Sequence, residues 1–214
     1  MIDHASEPPI RVLVVEDNFY TRRGTVSFLR EQPGIIVVGE AADGLRALEL
    51  FELSKLDVVV IDLRMPGMTG AELASALVAR APGVRILVLT HYQGDEDIAR
   101  ALAAGARGYL TKESSGEDLL AAIRALHDGQ RFLPPEIVEQ MSLRQGHPEL
   151  TRRERELLEK IADGASNREA AEQLGISERT AGLYVSRILS KLGARSRTEA
   201  ASIGVRRGLL RTRS

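Results

Sequence analysis

Asp62 ends the apolar run Leu56-Asp57-Val58-Val59-Val60-Ile61 and opens the loop Leu63-Arg64-Met65-Pro66-Gly67-Met68-Thr69-Gly70. A branched-aliphatic run of this kind reads as a strand buried on both faces, as in a parallel sheet. Glu16-Asp17 follow an earlier run, Thr90 ends a later one and Lys112 ends another. Open α/β sheets place their ligands at the carboxyl ends of strands. An acid, an acid pair, a hydroxyl and an amine gathered there would form a phosphorylation site. Three converging carboxylates repel one another unless a cation sits among them, and an oxygen-only donor set suits Mg²⁺. Asp62 would then attack phosphorus and form an acyl phosphate while Mg²⁺ neutralises charge on a phosphoryl oxygen. Lys112 would pair with a second oxygen and Thr90 would hydrogen-bond a third. Each residue alone is commonplace, since an Asp after a strand is usually a cap or turn former. Their joint placement carries the reading.

The elements that must position these groups alternate through the first half. Strands are expected at Ile10–Glu16, Ile35–Ala41, Leu56–Ile61, Val84–Thr90 and Arg107–Leu110. Helical patterns fall near Phe19–Glu31, Gly44–Leu53, Gly70–Arg80, Asp95–Ala104 and Ser115–Asp128. Such alternation implies right-handed crossovers and a parallel sheet covered by helices on both faces. The expected fold is α/β, a flavodoxin-like, doubly wound, five-stranded parallel sheet spanning residues 10–127.

Two Pro/Gly clusters flank a weak amphipathic piece, Glu136–Leu143, so residues 128–147 read as a linker. Beyond it strand signals vanish, and residues 148–214 read as a small all-α domain. Thr151 with Glu154, and Ser166 with Glu169, are capping boxes, and Gly164 and Gly175 are stops. Ser177 caps a third helix running to Leu192-Gly193, and a fourth spans about Thr198–Arg207. The pair joined by Gly175-Ile176-Ser177 is a helix-turn-helix pattern.

Charge divides along the same line. The net charge of −1 combines 13 Lys+Arg against 19 Asp+Glu in residues 1–130 with 16 against 11 in residues 131–214. The basic half is therefore a candidate for nucleic acid. The chain has no Cys, which excludes disulfides, thiol catalysis and Cys-based zinc sites. No apolar stretch approaches the roughly 20 residues that span a bilayer. Residues 1–9 have neither a basic n-region nor an apolar h-region, so a disordered lead-in rather than a signal peptide is expected, and a cytoplasmic location with it.

The motifs VVEDN, VVVIDLRMPGMTG, VLTHY and GYLTK, holding Glu16-Asp17, Asp62, Thr90 and Lys112, resemble those of the receiver domain of bacterial two-component response regulators. The resemblance implies direct Mg²⁺ contacts from Asp17, Asp62 and the backbone carbonyl of Arg64, with Glu16 reached through water. It implies a partner histidine kinase, and it makes Thr90 and Tyr109 switch residues that move inward on phosphorylation. Arg64 and Tyr92 flank the site and would tune phosphoryl hydrolysis. A dehalogenase-type phosphatase, which also uses a strand-end Asp, would want a second Asp where this chain has Arg64.

Leu150-Thr151-Arg152-Arg153-Glu154, Gly164-Ala165-Ser166-Asn167-Arg168-Glu169 and Lys191-Leu192-Gly193-Ala194-Arg195-Ser196-Arg197 resemble the output domain of the NarL/FixJ (LuxR-type) class. By that resemblance Ser177–Leu192 is a recognition helix lying in the major groove of double-stranded DNA. Ser166, Asn167 and Arg168 would anchor phosphates. Arg179, Thr180, Gly182, Leu183, Tyr184, Arg187 and Lys191 would complete the interface. The chain departs from the family where Thr-Val-Lys-x-His is usual, reading Thr180-Ala181-Gly182-Leu183-Tyr184. Losing a base-reading cation at Gly182 should alter specificity.

The implied function is transcription regulation switched by phosphorylation of Asp62, with homodimer formation on paired half-sites and no enzymatic turnover of an external substrate. The alternative is a signalling interaction protein whose output domain has degraded, a reading motivated by Gly182.

Overall fold

The computed structural model describes residues 8–53, 55–91, 94–144 and 148–210. Most of the expected lead-in (residues 1–7), Tyr92 and residues 145–147 of the expected linker lie outside the described residues. The chain divides into two compact units, residues 1–92 with 98–138 and residues 93–97 with 139–214.

The first unit holds β1 (Ile10–Val15), α1 (Phe19–Arg30), β2 (Ile35–Ala41), α2 (Gly44–Leu53), β3 (Val58–Ile61), α3 (Gly70–Arg80), β4 (Arg85–Thr90), α4 (Asp95–Ala103, of which residues 95–97 group with the second unit), β5 (Gly108–Thr111) and α5 (Gly116–His127). The five strands form one parallel sheet in the order β2-β1-β3-β4-β5, the doubly wound arrangement expected from the sequence. The order reverses between β1 and β3, and the crevice at such a reversal is where open sheets bind ligands.

The central strands are uninterrupted aliphatic runs because both faces are covered. Val12, Val14, Val58 and Val60 pack with Val26 and Leu29 of α1 and Leu119, Ile123 and Leu126 of α5. Successive side chains of a strand point to opposite faces, so Leu13, Val15, Val59 and Ile61, all buried, lie on the other side. Each fully buried aliphatic contributes about 1.5–3 kcal/mol relative to exposure.

Four of the five strands differ from expectation, β4 only in starting at Arg85 and not at Val84. β3 begins at Val58, because the Asp57 carboxylate accepts a hydrogen bond from the Arg11 N–H at 2.8 Å instead of extending the run. β5 lies one residue later than expected, ending at Thr111 opposite Thr90. Glu16 falls just outside β1, although its N–H still donates to the Ala41 carbonyl.

The second unit is helical. α6 (Pro135–Arg144) contains the division between the units, and α7 (Arg152–Ala162), α8 (Asn167–Leu174), α9 (Glu178–Leu192) and α10 (Arg197–Arg206) follow. Thr151, Ser166 and Ser177 cap α7, α8 and α9 as expected. α10 is capped by Ser196, whose hydroxyl accepts from the Glu199 N–H, and not opened at Thr198. Leu157, Leu158, Ala170, Ala181, Val185, Ile188, Leu192 and Ala200 form the core. Gly204 permits close packing there, since a Cβ at that position would come within 2.8 Å of Leu210 and 3.1 Å of Leu158.

Candidate functional site

The sheet brings Glu16, Asp62, Thr90 and Lys112 together at its carboxyl edge. The Asp62 N–H donates to the Val15 carbonyl at 2.9 Å and the Lys112 N–H to the Thr90 carbonyl at 3.0 Å. The register of the strands is thereby transmitted to the loop residues. Asp62 and Glu16 are buried and Asp17 is exposed.

Lys112 lies between the two buried acids. Its Nζ is 2.7 Å from Asp62 Oδ2 and 2.5 Å from Glu16 Oε2, and all three side chains are nearly excluded from solvent. Burial pushes the Glu16 carboxyl up and the Asp62 charge adds to this, outweighing the Lys112 ammonium and the Asn18 N–H that favour ionisation. Burial opposes the charge on Lys112, yet hydrogen bonds and attraction from Asp62 and Glu16 raise its pKa overall. The site is an acid pair neutralised by an internal ammonium. Such a pair can exchange partners when another charged group arrives.

One carboxylate oxygen from each of Glu16, Asp17 and Asp62 lies within 4.8 Å of the others. The donors are all hard oxygens, one of them open to solvent, and they fit a small divalent cation such as Mg²⁺.

The loops are held by contacts that sequence reasoning missed. Asn18 caps α1, its Oδ1 accepting from the Thr21 N–H at 3.0 Å. Arg22 donates to the carbonyls of Glu16 at 2.6 Å and Asp17 at 3.2 Å, fixing the acidic loop from below. The capping Asn before a helical run was a readable signal, as was the Thr69-x-x-Glu72 pattern at the start of α3. After Asp62, the Arg64 N–H approaches Asp62 Oδ1 at 3.4 Å. Thr69 and Glu72 form a capping box at the start of α3. Gly70 is required there, because a Cβ would run into the Asp62 carbonyl. His91 Nδ1 and Glu113 Oε1 lie 3.0 Å apart and link the residues that follow Thr90 and Lys112.

Thr90 and Tyr109 are both completely buried. Tyr109 is opposite Val88, which lies two residues before Thr90 on β4, so both side chains share one face of the sheet.

In the second unit, Gly175, with φ of 66°, turns the chain between α8 and α9. α9 buries Ala181, Val185, Ile188 and Leu192. Arg179, Leu183, Ser186 and Arg187 are on its exposed side, and the Arg187 guanidinium lies 5.9 Å from the centre of the Tyr184 ring. Gly182 is helical, and an added Cβ would meet only Asn167 Nδ2 at 3.8 Å, an ordinary contact. The glycine therefore leaves the helix intact and its position open.

Other expected DNA contacts have partners inside the unit. Ser166 accepts from the Glu169 N–H as a cap, and Thr180 Oγ1 is 2.7 Å from Ser177 Oγ. Arg197 hydrogen-bonds Asn167 Oδ1. Arg168 pairs with Glu172 at 3.4 Å on the surface. Lys191 donates to Glu154 at 2.7 Å and to the Glu149 carbonyl at 2.9 Å.

Residues 12–124 match the response regulator receiver domain, and residues 148–203 match the bacterial regulatory proteins of the luxR family. The chain belongs to the LuxR-type response regulators. It is 38% identical over 210 residues to the uncharacterized transcriptional regulatory protein YhcZ of Bacillus subtilis, covering 94% of this chain and 97% of that protein. It is 36% identical over 200 residues to the DNA-binding transcriptional activator DevR/DosR of Mycobacterium tuberculosis, covering 90% and 92% respectively. Among solved structures, the response regulator ChrA of a heme-sensing two-component system is 36% identical, with a TM-score of 0.55 and coverage of 95% and 100%. This response regulator therefore combines a receiver with a helix-turn-helix output domain, and its relatives regulate transcription. Among its described residues no helix is long and apolar enough to cross a membrane.

Proposed function

We propose that Asp62 of this response regulator accepts a phosphoryl group from the phosphohistidine of a partner sensor kinase and thereby controls DNA binding by α9. Support comes above all from the Lys112 ammonium, 2.7 Å from Asp62 Oδ2 in a buried site. An Asp62 oxygen forms the new P–O bond while the P–N bond to the donor imidazole breaks, and the imidazole nitrogen leaves with a proton. Lys112, released from Asp62, pairs with a phosphoryl oxygen, and the Thr90 hydroxyl donates to another. Mg²⁺, held by Asp17, Asp62 and the Arg64 carbonyl with Glu16 through water, would supply charge neutralisation during the transfer. Tyr109, on the same face as Thr90, carries the change to the neighbouring helices. Transfer to Asp62 and later hydrolysis are the only covalent chemistry required, inside the cytoplasm.

In the output domain, the N-termini of α8 and α9 present Ser166, Asn167, Arg168, Arg179 and Thr180 toward phosphate and base edges. Gly182, Leu183, Tyr184 and Arg187 follow along α9. Lys191, engaged by Glu154, contributes from the far end of the helix. Phosphorylation favours a homodimer on paired half-sites of double-stranded DNA.

The test is labelling of the full chain by a small-molecule phosphoryl donor with Mg²⁺, followed by gel shift on genomic fragments. The parent is expected to gain a base-labile phosphoryl group and bind DNA more tightly, and Asp62→Asn is expected to do neither. Undiminished labelling of Asp62→Asn would refute Asp62 as the acceptor.

A further inference from the structure

Resting on the proposed DNA binding by α9, we propose that Leu183 reads the C5-methyl group of a thymine in the major groove. Leu183 is 55% exposed, although the rest of the apolar surface of α9 is turned inward through Ala181, Val185, Ile188 and Leu192. It stands between Arg179 and Arg187 at intervals of one helical turn, so the three occupy one face. The middle of the outward face is thus apolar and its two ends are cationic.

The neighbours of Leu183 leave it uncovered. Gly182 has no side chain, and an atom at its Cβ position would find open space apart from Asn167. The ring of Tyr184 lies beside the Arg187 guanidinium. No cation at position 182 competes for the base edge nearest Leu183.

The major groove offers hydrogen-bond donors and acceptors on every base pair but one apolar feature, the thymine methyl. An isobutyl side chain can make no favourable contact with the polar edges and would leave them desolvated. Against a thymine methyl it buries apolar surface on both partners. Arg179 and Arg187 can meanwhile take phosphate or guanine, which fixes the register of Leu183 over one base pair. The helix therefore specifies thymine at the centre of each half-site by shape and hydrophobic contact, and it does so at a position flanked by cation contacts.

The experiment uses the full chain, phosphorylated with a small-molecule donor and Mg²⁺. Binding sequences are first selected from random duplexes. Each thymine of the selected half-site is then replaced by deoxyuridine, which keeps the base pair and every groove hydrogen bond and removes only the methyl group. One replacement in a single half-site is expected to weaken binding about 4-fold, the value of one buried methyl. Leu183→Ala should bind the thymine and uracil probes equally, at about the affinity of the parent for the uracil probe. Two outcomes overturn the assignment while DNA binding stands: parent binding that ignores every replacement, or discrimination that survives in Leu183→Ala. Loss of dimer formation by phosphorylated Leu183→Ala, measured by sedimentation, would instead make Leu183 a contact between copies. Failure of the parent to select or bind any duplex would overturn the DNA-binding reading itself.

Discussion

The Lys191 ammonium lies 2.7 Å from the buried Glu154 carboxylate and so ties the end of α9 to the beginning of α7. Glu154 also closes the capping box of α7 with Thr151, its carboxylate accepting from the Thr151 N–H at 2.7 Å. Burial pushes the Glu154 carboxyl up, but the Lys191 hydrogen bond and the Thr151 N–H outweigh it and hold the pKa below the usual carboxylate range. The folded state therefore binds this proton less readily than the unfolded chain. The resulting stabilisation is present above the ordinary carboxylate pKa of about 4.3 and is lost as pH falls through the lower, folded value. Glu154→Gln leaves Lys191 without its charged partner and should cost about 1–3 kcal/mol at neutral pH. Thermal melts of parent and variant are expected to differ at pH 7 and to converge on acidification. A difference that stays constant down to pH 3 would show that the carboxylate charge is not responsible.

Lys112→Met tests the internal counter-ion. The variant leaves two buried carboxylates facing each other, and removal of one member of a buried pair costs up to about 3–5 kcal/mol. Added Mg²⁺ should raise the melting temperature of Lys112→Met more than that of the parent, because the cation replaces the missing charge. Equal Mg²⁺ responses would argue against convergence of the carboxylates on one cation.

Gly70→Ala introduces a methyl group into the Asp62 carbonyl. The backbone must move, at about 1–3 kcal/mol of overpacking. A lower melting temperature accompanied by slower Asp62 labelling is expected. Labelling at the parental rate would mean that the loop adapts without shifting the acceptor.

Gly182 should behave in the opposite way. Ala at this helical position meets open space, so Gly182→Ala is expected to raise stability by about 0.5–1 kcal/mol, read from denaturant unfolding. Gly182→Lys should add one cation to the DNA-facing side and steepen the salt dependence of DNA binding by about one phosphate contact. An unchanged salt slope would place position 182 away from the nucleic acid.

The fold of the first unit was legible because buried parallel strands need uninterrupted aliphatic runs, and Val58-Val59-Val60-Ile61 is such a run. The gathering of Glu16, Asp62, Thr90 and Lys112 was legible because each ends or follows a strand, and a parallel sheet carries all strand ends to one edge. The role of Lys191 was not legible. Its partner Glu154 is 37 positions away and reads locally as a capping residue, which it also is. The Arg197–Asn167 contact was missed for the same reason, whereas Arg22 and Gly70 meet nearby residues through turns whose geometry the sequence does not specify. The start of the fourth helix was expected at about Thr198, and its cap Ser196 was not picked out because several hydroxyl and charged residues crowd one turn there.

The hydroxyl caps on α7, α8, α9 and α10 bear on the time course of folding. Each cap closes within three residues of itself, so each of these four helices can nucleate from local contacts. The sheet of the first unit has no such shortcut: Val12 of β1 must wait for Val58 of β3 before its centre exists. Local topologies fold faster than parallel sheets. The half of the chain that leaves the ribosome last is therefore expected to reach its native form in less time than the half made before it.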